Sequence, residues 1–176
     1  MATALRYVVF AALLALPACN TVTSGRCVQG DCTSGKGTFR WPTGEIHRGE
    51  WEETLPNGLG EHEWPDGRTF KGSFTDGAID GHGFMHFPDG GTYDGEWQMG
   101  RMQGWGIRIW VDGRKYSGDW ARGRESGWGT TIWPSGAIFE GEYVEGEPSG
   151  RGTLTTAEGE VISGRWKDGE IETASP

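Results

Sequence analysis

Apolar and polar positions alternate along this chain in short runs, and the runs return every 23 residues. Glycines at 35, 58, 81, 104, 127 and 150 open the six blocks, and the spacing is constant. Within each block, positions 13, 15 and 17 read ring, glycine, ring, as in Tyr93-Asp94-Gly95-Glu96-Trp97 and Tyr116-Ser117-Gly118-Asp119-Trp120. The departures at position 13 are His47 in the first block and Ile162 in the sixth. Position 7 carries Trp41, Trp64, Phe87, Trp110, Trp133 and then Thr156. A period of two is the signature of a strand with one buried face. A longer fixed period means identical supersecondary units stacked on one another.

The turn residues predict how the strands pair. Trp64-Pro65-Asp66-Gly67 and Phe87-Pro88-Asp89-Gly90 read as type I turns closed by a left-handed glycine. That turn pairs position 7 with 11, 5 with 13, and 3 with 15. The odd positions then share one face, which carries the rings together with paired glycines at positions 3 and 15. Glycine leaves space for a neighbouring ring to lie over the backbone. A second turn falls at Gly77, Gly100, Gly123, Gly146 and Gly169. The first block has Thr54-Leu55-Pro56 there, so its exit loop is expected to differ.

The stretch Tyr93-x-Gly95-x-Trp97-x-x-Gly100-x-x-x-Gly104-x-Gly106 closely resembles the MORN-repeat consensus, and the resemblance covers residues 35–171. It implies an all-β fold: an elongated, single-layer, twisted antiparallel sheet of six hairpins. Twelve strands at about 4.8 Å spacing would give a rod of roughly 55–60 Å. The sixth block, with Thr156 and Ile162 in place of rings, reads as a terminal cap. An incompletely capped edge could instead pair with a second copy, and the resemblance allows a homodimer.

The N-terminus carries an address. Arg6 precedes an apolar run over residues 7–16, too short to span a bilayer, and residues 1–18 read as a secretory signal peptide. Leu16-Pro17-Ala18-Cys19 resembles the bacterial lipobox, in which the cysteine is lipidated and becomes the first mature residue. The resemblance implies anchoring by acyl chains. Asn20, where an aspartate would favour inner-membrane retention, points to the outer membrane facing the periplasm. Cys27 and Cys32 remain, and an oxidising compartment favours their disulfide. Residues 19–34 are therefore read as a lipidated tether and stapled cap, 35–171 as the repeat sheet, and 172–176 as a disordered tail. The formal charge is −9, and removal of residues 1–18 takes away only Arg6, leaving −10 on the mature side chains. Such a chain is a poor partner for nucleic acid.

No catalytic constellation stands out. The Gly-x-Gly pairs recur in every block and open no helix, unlike a nucleotide fingerprint. Of the four histidines, His62 and His86 face opposite sides, so no metal site is expected; with His47 and His82 they read as surface and cross-strand residues. Glu50, Glu96, Asp119 and Glu142 at position 16 form an acidic stripe on the even face, expected to serve solubility and edge protection. No enzyme activity and no cofactor are expected. The even face should be polar, yet it carries Phe84, Ile107, Ile109, Ile132 and Ile138, with Ile132 opposite Ile138. These five form the candidate partner-binding patch, with Trp97, Trp110, Trp120 and Trp133 as second choice. The expected function is a membrane-anchored scaffold for an envelope protein. The alternatives are direct lipid recognition, long proposed for eukaryotic MORN proteins, and envelope-glycan binding.

Overall fold

The computed structural model describes residues 25–174. They form one antiparallel sheet of fourteen strands whose spatial order is the sequence order. The strands are β1 (Arg26–Gly30), β2 (Gly35–Arg40), β3 (Ile46–Glu52), β4 (Leu55–Glu63), β5 (Thr69–Thr75), β6 (Ala78–His86), β7 (Thr92–Gln98), β8 (Arg101–Ile109), β9 (Lys115–Ala121), β10 (Arg124–Ile132), β11 (Ile138–Val144), β12 (Glu147–Thr155), β13 (Val161–Lys167) and β14 (Glu170–Ala174). The described residues include no helix long and apolar enough to cross a membrane. Residues 1–18 and Cys19 lie outside the described residues.

The sheet is two strands wider than six hairpins require. β1 pairs with β2 through Cys27 opposite Phe39, and the Cys27–Cys32 disulfide joins it to the loop before β2. At the far end Glu170–Ala174 forms β14 on β13, with Lys167 opposite Glu170. The tail expected from residue 172 is thus a strand as far as Ala174, because the last two-residue turn sends the chain back along an edge that still offers backbone partners.

Both turns have a clear physical origin. In the first, Gly67 N–H donates to the Trp64 carbonyl (3.0 Å), and Gly67 sits at φ 92°. The side chain of Asp66 accepts the Arg68 N–H (3.0 Å), and Asp89 does the same for Gly91 (2.8 Å). The second turn is a two-residue type I′ loop, with both residues at positive φ, as in Met99 (48°) and Gly100 (74°). The first block does not differ here, contrary to expectation. Glu53 (49°) and Thr54 (70°) adopt the same turn between Glu52 and Leu55. Pairing on both sides imposes the turn even on a β-branched residue. Thr54→Gly should therefore raise stability by about 1 kcal/mol, read as the shift in a urea unfolding midpoint.

The hairpin register is as the turns predict: Gly83 faces Gly95, Met85 faces Tyr93, and Ile132 faces Ile138. Between hairpins the register breaks. Gly72 faces Gly83 and Phe74 faces Ile79, so Ser73 alone opposes three residues of β6. The same bulge recurs between β3 and β4, β7 and β8, β9 and β10, and β11 and β12. It explains the opening glycine, which at Gly81 lies at φ 100°.

The core is a ladder of rings on one face. Tyr93 meets Trp97 of its own block at 5.1 Å and Trp120 of the next at 5.2 Å, both edge to face at 86°. Tyr116 repeats this with Trp120 and Tyr143, and Phe139 with Tyr143 and Trp166. Tyr93 and Tyr116 are fully buried. The Trp97 and Trp120 indoles each donate to a carbonyl of their own block, at Gly83 and Gly106 (3.2 Å each). The Tyr93 hydroxyl donates to the Glu96 carbonyl at 3.0 Å. The Tyr93 and Tyr116 rings each lie over a glycine of their own block and one of the next, and a Cβ on Gly106 would overlap the Tyr93 ring.

Candidate binding faces

The five even-face residues all lie on the side away from the ladder, but they are not continuous. Phe84 (44% exposed) is opposite Asp94, which is in turn opposite Ile107. Ile109 (43%) is opposite Lys115, which is opposite Ile132 (40%). Ile132 faces Ile138 directly. One acid and one base thus divide the patch. Sequence reasoning missed two large members of this face. Trp105 and Trp128, at position 2, are each 54% exposed. Their signal was available, since only these two of the ten tryptophans fall outside positions 7 and 17.

The acidic stripe has a structural task beyond solubility. Two of its four carboxylates, opposite the bulges, bond backbone groups that the ladder leaves free. Glu50 accepts the Leu59 N–H and Asp119 the Trp128 N–H, each at 3.0 Å. The Leu59 bond, helped by Lys36, holds the Glu50 carboxyl below the usual range. Glu142 pairs instead with Arg151 (3.0 Å).

On the ladder face, Trp97 and Trp120 are buried, whereas Trp110 and Trp133 are half-buried at the rim beside Trp64 and Phe87. Residues at position 22 join this face despite their even number, because the two-residue turn sets them opposite position 17. Ile79 opposes Phe74 and Glu125 opposes Trp120. An open groove of about 520 Å³ runs here, with Trp64, Ile79, Met85, Phe87 and Met102 in its walls.

The histidines divide. His82 and His86 are exposed on the even face, and His82 stands 3.5 Å from Asp94. His62 is half-buried on the ladder face. His47 is not a surface residue. It is fully buried at position 13 as a rung of the ladder, 5.1 Å from Trp51 and 4.6 Å from Phe74. Neither His47 nitrogen has a hydrogen-bond partner, nor does His62 Nε2. Burial pushes both imidazoles down to about 4, helped at His47 by neighbouring His62 and at His62 by Arg68. Among the described residues no three potential ligands converge on a metal position.

The MORN-repeat family model matches six segments, at residues 33–46, 47–67, 70–92, 93–113, 116–138 and 139–161. The protein belongs to the MORN-repeat family. No curated protein matches the chain. Among solved structures, the TCP10 domain of Danio rerio CPAP is similar at 15% identity and a TM-score of 0.46, over 80% of this chain and 67% of that one. The SAS-4 TCP domain of Drosophila melanogaster, in complex with a proline-rich motif of Ana2, gives 12% and 0.35 over 94% and 99%. The TCP10c domain of Drosophila melanogaster Sas-4 gives 10% and 0.39 over 82% and 100%.

Proposed function

We propose that this protein is a non-enzymatic binding scaffold of the bacterial cell envelope, anchored through lipid on Cys19 to the outer membrane and facing the periplasm. The observation that carries the binding role is the exposure of Phe84, Ile109 and Ile132 on a face where the fold needs no apolar side chains. The ladder alone supplies the core, so burial within this chain gives these residues no reason to be large and apolar. Groups of exposed apolar side chains of this kind mark partner surfaces. Trp105 and Trp128 extend the same face with the rings that interfaces favour.

The test is photo-crosslinking in cells with the probe at Ile109 and a control at Lys167, which is also exposed. A discrete protein adduct at Ile109 alone is the expected result, lost when Ile107 and Phe84 are replaced by Ser while the circular dichroism spectrum is unchanged. Equal labelling at both positions, or an adduct that survives the Ser replacements, rejects the even face as the docking surface. Flotation of the unanchored chain with liposomes would instead move the assignment to lipid.

A further inference from the structure

We propose that Arg108, on the ladder face, is the anchor of a carboxylate-binding site that takes an acidic side chain flanked by apolar residues on a partner polypeptide. This site lies on the opposite side of the sheet from the patch just described and is independent of it. Position 5 points into the ladder, where the other blocks place Phe39, His62, Met85, Thr131 and Leu154. Three of these are apolar, His62 is held neutral, and Thr131 is bonded to the Tyr143 hydroxyl at 2.6 Å. Only Arg108 brings a full charge to this position. In register it stands between the fully buried Tyr93 and Tyr116.

The guanidinium is held by rings. Its carbon lies 4.3 Å from the Phe87 centroid and 5.1 Å from that of Trp110. A guanidinium offers five N–H donors. The one bond it makes here runs from Nη1 to the Met102 sulfur at 3.9 Å, a weak acceptor. Nε is buried and has no partner. The two other arginines stacked on this face are each matched with a carboxylate. Arg68 lies over Trp64 and pairs with Asp66 at 2.8 Å. Arg114 lies over Trp110 and pairs with Glu125 at 3.7 Å. Arg108 has no ion pair among the described residues.

Acids are not in short supply, since the chain has 25 against 16 lysines and arginines. A half-buried guanidinium whose Nε is sealed from solvent without an acceptor carries a desolvation cost, and a carboxylate arriving with a partner reduces that cost. The surroundings select the anion. Asp89 and Glu125 act on Arg108 through space without bonding it, and their charge disfavours a dianion such as phosphate. A carboxylate matches the guanidinium fork with two parallel bonds. Phe87, Trp110 and Met102 around it demand that the carboxylate arrive with apolar neighbours.

The test is a titration of the full chain by ¹H–¹⁵N NMR, reading the Arg108 Nε–H and Trp110 Nε1–H signals. The probes are the peptide Ac-Leu-Glu-Leu-NH2, its glutamine counterpart Ac-Leu-Gln-Leu-NH2, and inorganic phosphate. The glutamate peptide should give a saturable shift at both signals, with the glutamine peptide at least about tenfold weaker. Arg108→Met, which restores the kind of residue found at Met85, should abolish the Trp110 response, and Arg108→Lys should lose most of it. Equal responses to the two peptides, a Trp110 shift that survives Arg108→Met, or no saturable shift at millimolar peptide would each overturn the proposal. A stronger response to phosphate than to the glutamate peptide would overturn the choice of anion.

Discussion

Replacing Gly95 with alanine should destabilise the protein by about 3 kcal/mol or more, whereas the same change at Gly100 should cost only about 1 kcal/mol. A Cβ on Gly95 would stand 2.5 Å from the Gly106 Cα and 2.7 Å from both the Trp105 carbonyl oxygen and the Tyr93 hydroxyl. Two of these three neighbours are backbone, so no rotamer change relieves the contact. Strands β7 and β8 would have to part, and the Tyr93 ring would lose its seat between Trp97 and Trp120. Gly100 lies at φ 74° with nothing within 4 Å of an added Cβ, so its substitution bears only the left-handed backbone term. Urea unfolding monitored by near-ultraviolet circular dichroism separates the two. Midpoints for the two variants lying within about 1 kcal/mol of each other would mean that the ring-over-glycine contact is not what sets strand spacing.

Acidification should weaken the fold in a window set by two histidines. In the native state His47 and His62 titrate at about 4, whereas exposed imidazoles in the unfolded chain take up protons near 6.5. Between these values the unfolded state binds protons that the native state refuses. Stability is therefore fully present above about pH 6.5, falls as the pH drops through that value, and levels off below about 4. The span corresponds to about 3 kcal/mol for the fully buried His47 and to less for His62, which is half-buried and whose charge couples to that of His47. The carboxyls of Glu50, Glu61 and Asp66 are all held below their ordinary range, so their contribution is lost at still lower pH. His47→Phe should remove one histidine's share of the acid sensitivity. It should also raise stability at pH 7, because two unpartnered buried nitrogens disappear and position 13 already accepts phenylalanine at Phe70 and Phe139. Melting temperatures from pH 7.5 to 4 test this; parallel curves for the two proteins would remove His47 from the account.

Much of the architecture was legible because every strand pairs with its sequence neighbour. Two short loops, each with its own glycine except at Glu53-Thr54 in the first block, decide register locally, and the 23-residue period copies that decision along the chain. The ring-over-glycine packing followed from the same pattern, since Tyr93, Gly95 and Trp97 are two residues apart and share a face. The even-face residues were likewise placed on one side from alternation alone.

The tertiary structure decided whatever depends on the neighbouring block. The side chain of Glu50 became a backbone acceptor because a bulge in the next strand presents the Leu59 N–H to it. Glu125 and Ile79 turned onto the ladder face because the two-residue turn sets position 22 opposite position 17. Lys115 separates Ile109 from Ile132 because β9 lies between their strands. His47 lost its surface character because Trp51 and Phe74 close over it from two blocks. Alternation alone puts Arg108, at an odd position, on the ladder face; that its guanidinium stacks on the rings of two successive blocks, Phe87 and Trp110, and finds no ion pair there shows only in the structure. Alternation and turn chemistry act over a few residues and are written in the chain. Desolvation and charge pairing are set by which side chains meet across strands, and here they follow from the packing of one block on the next.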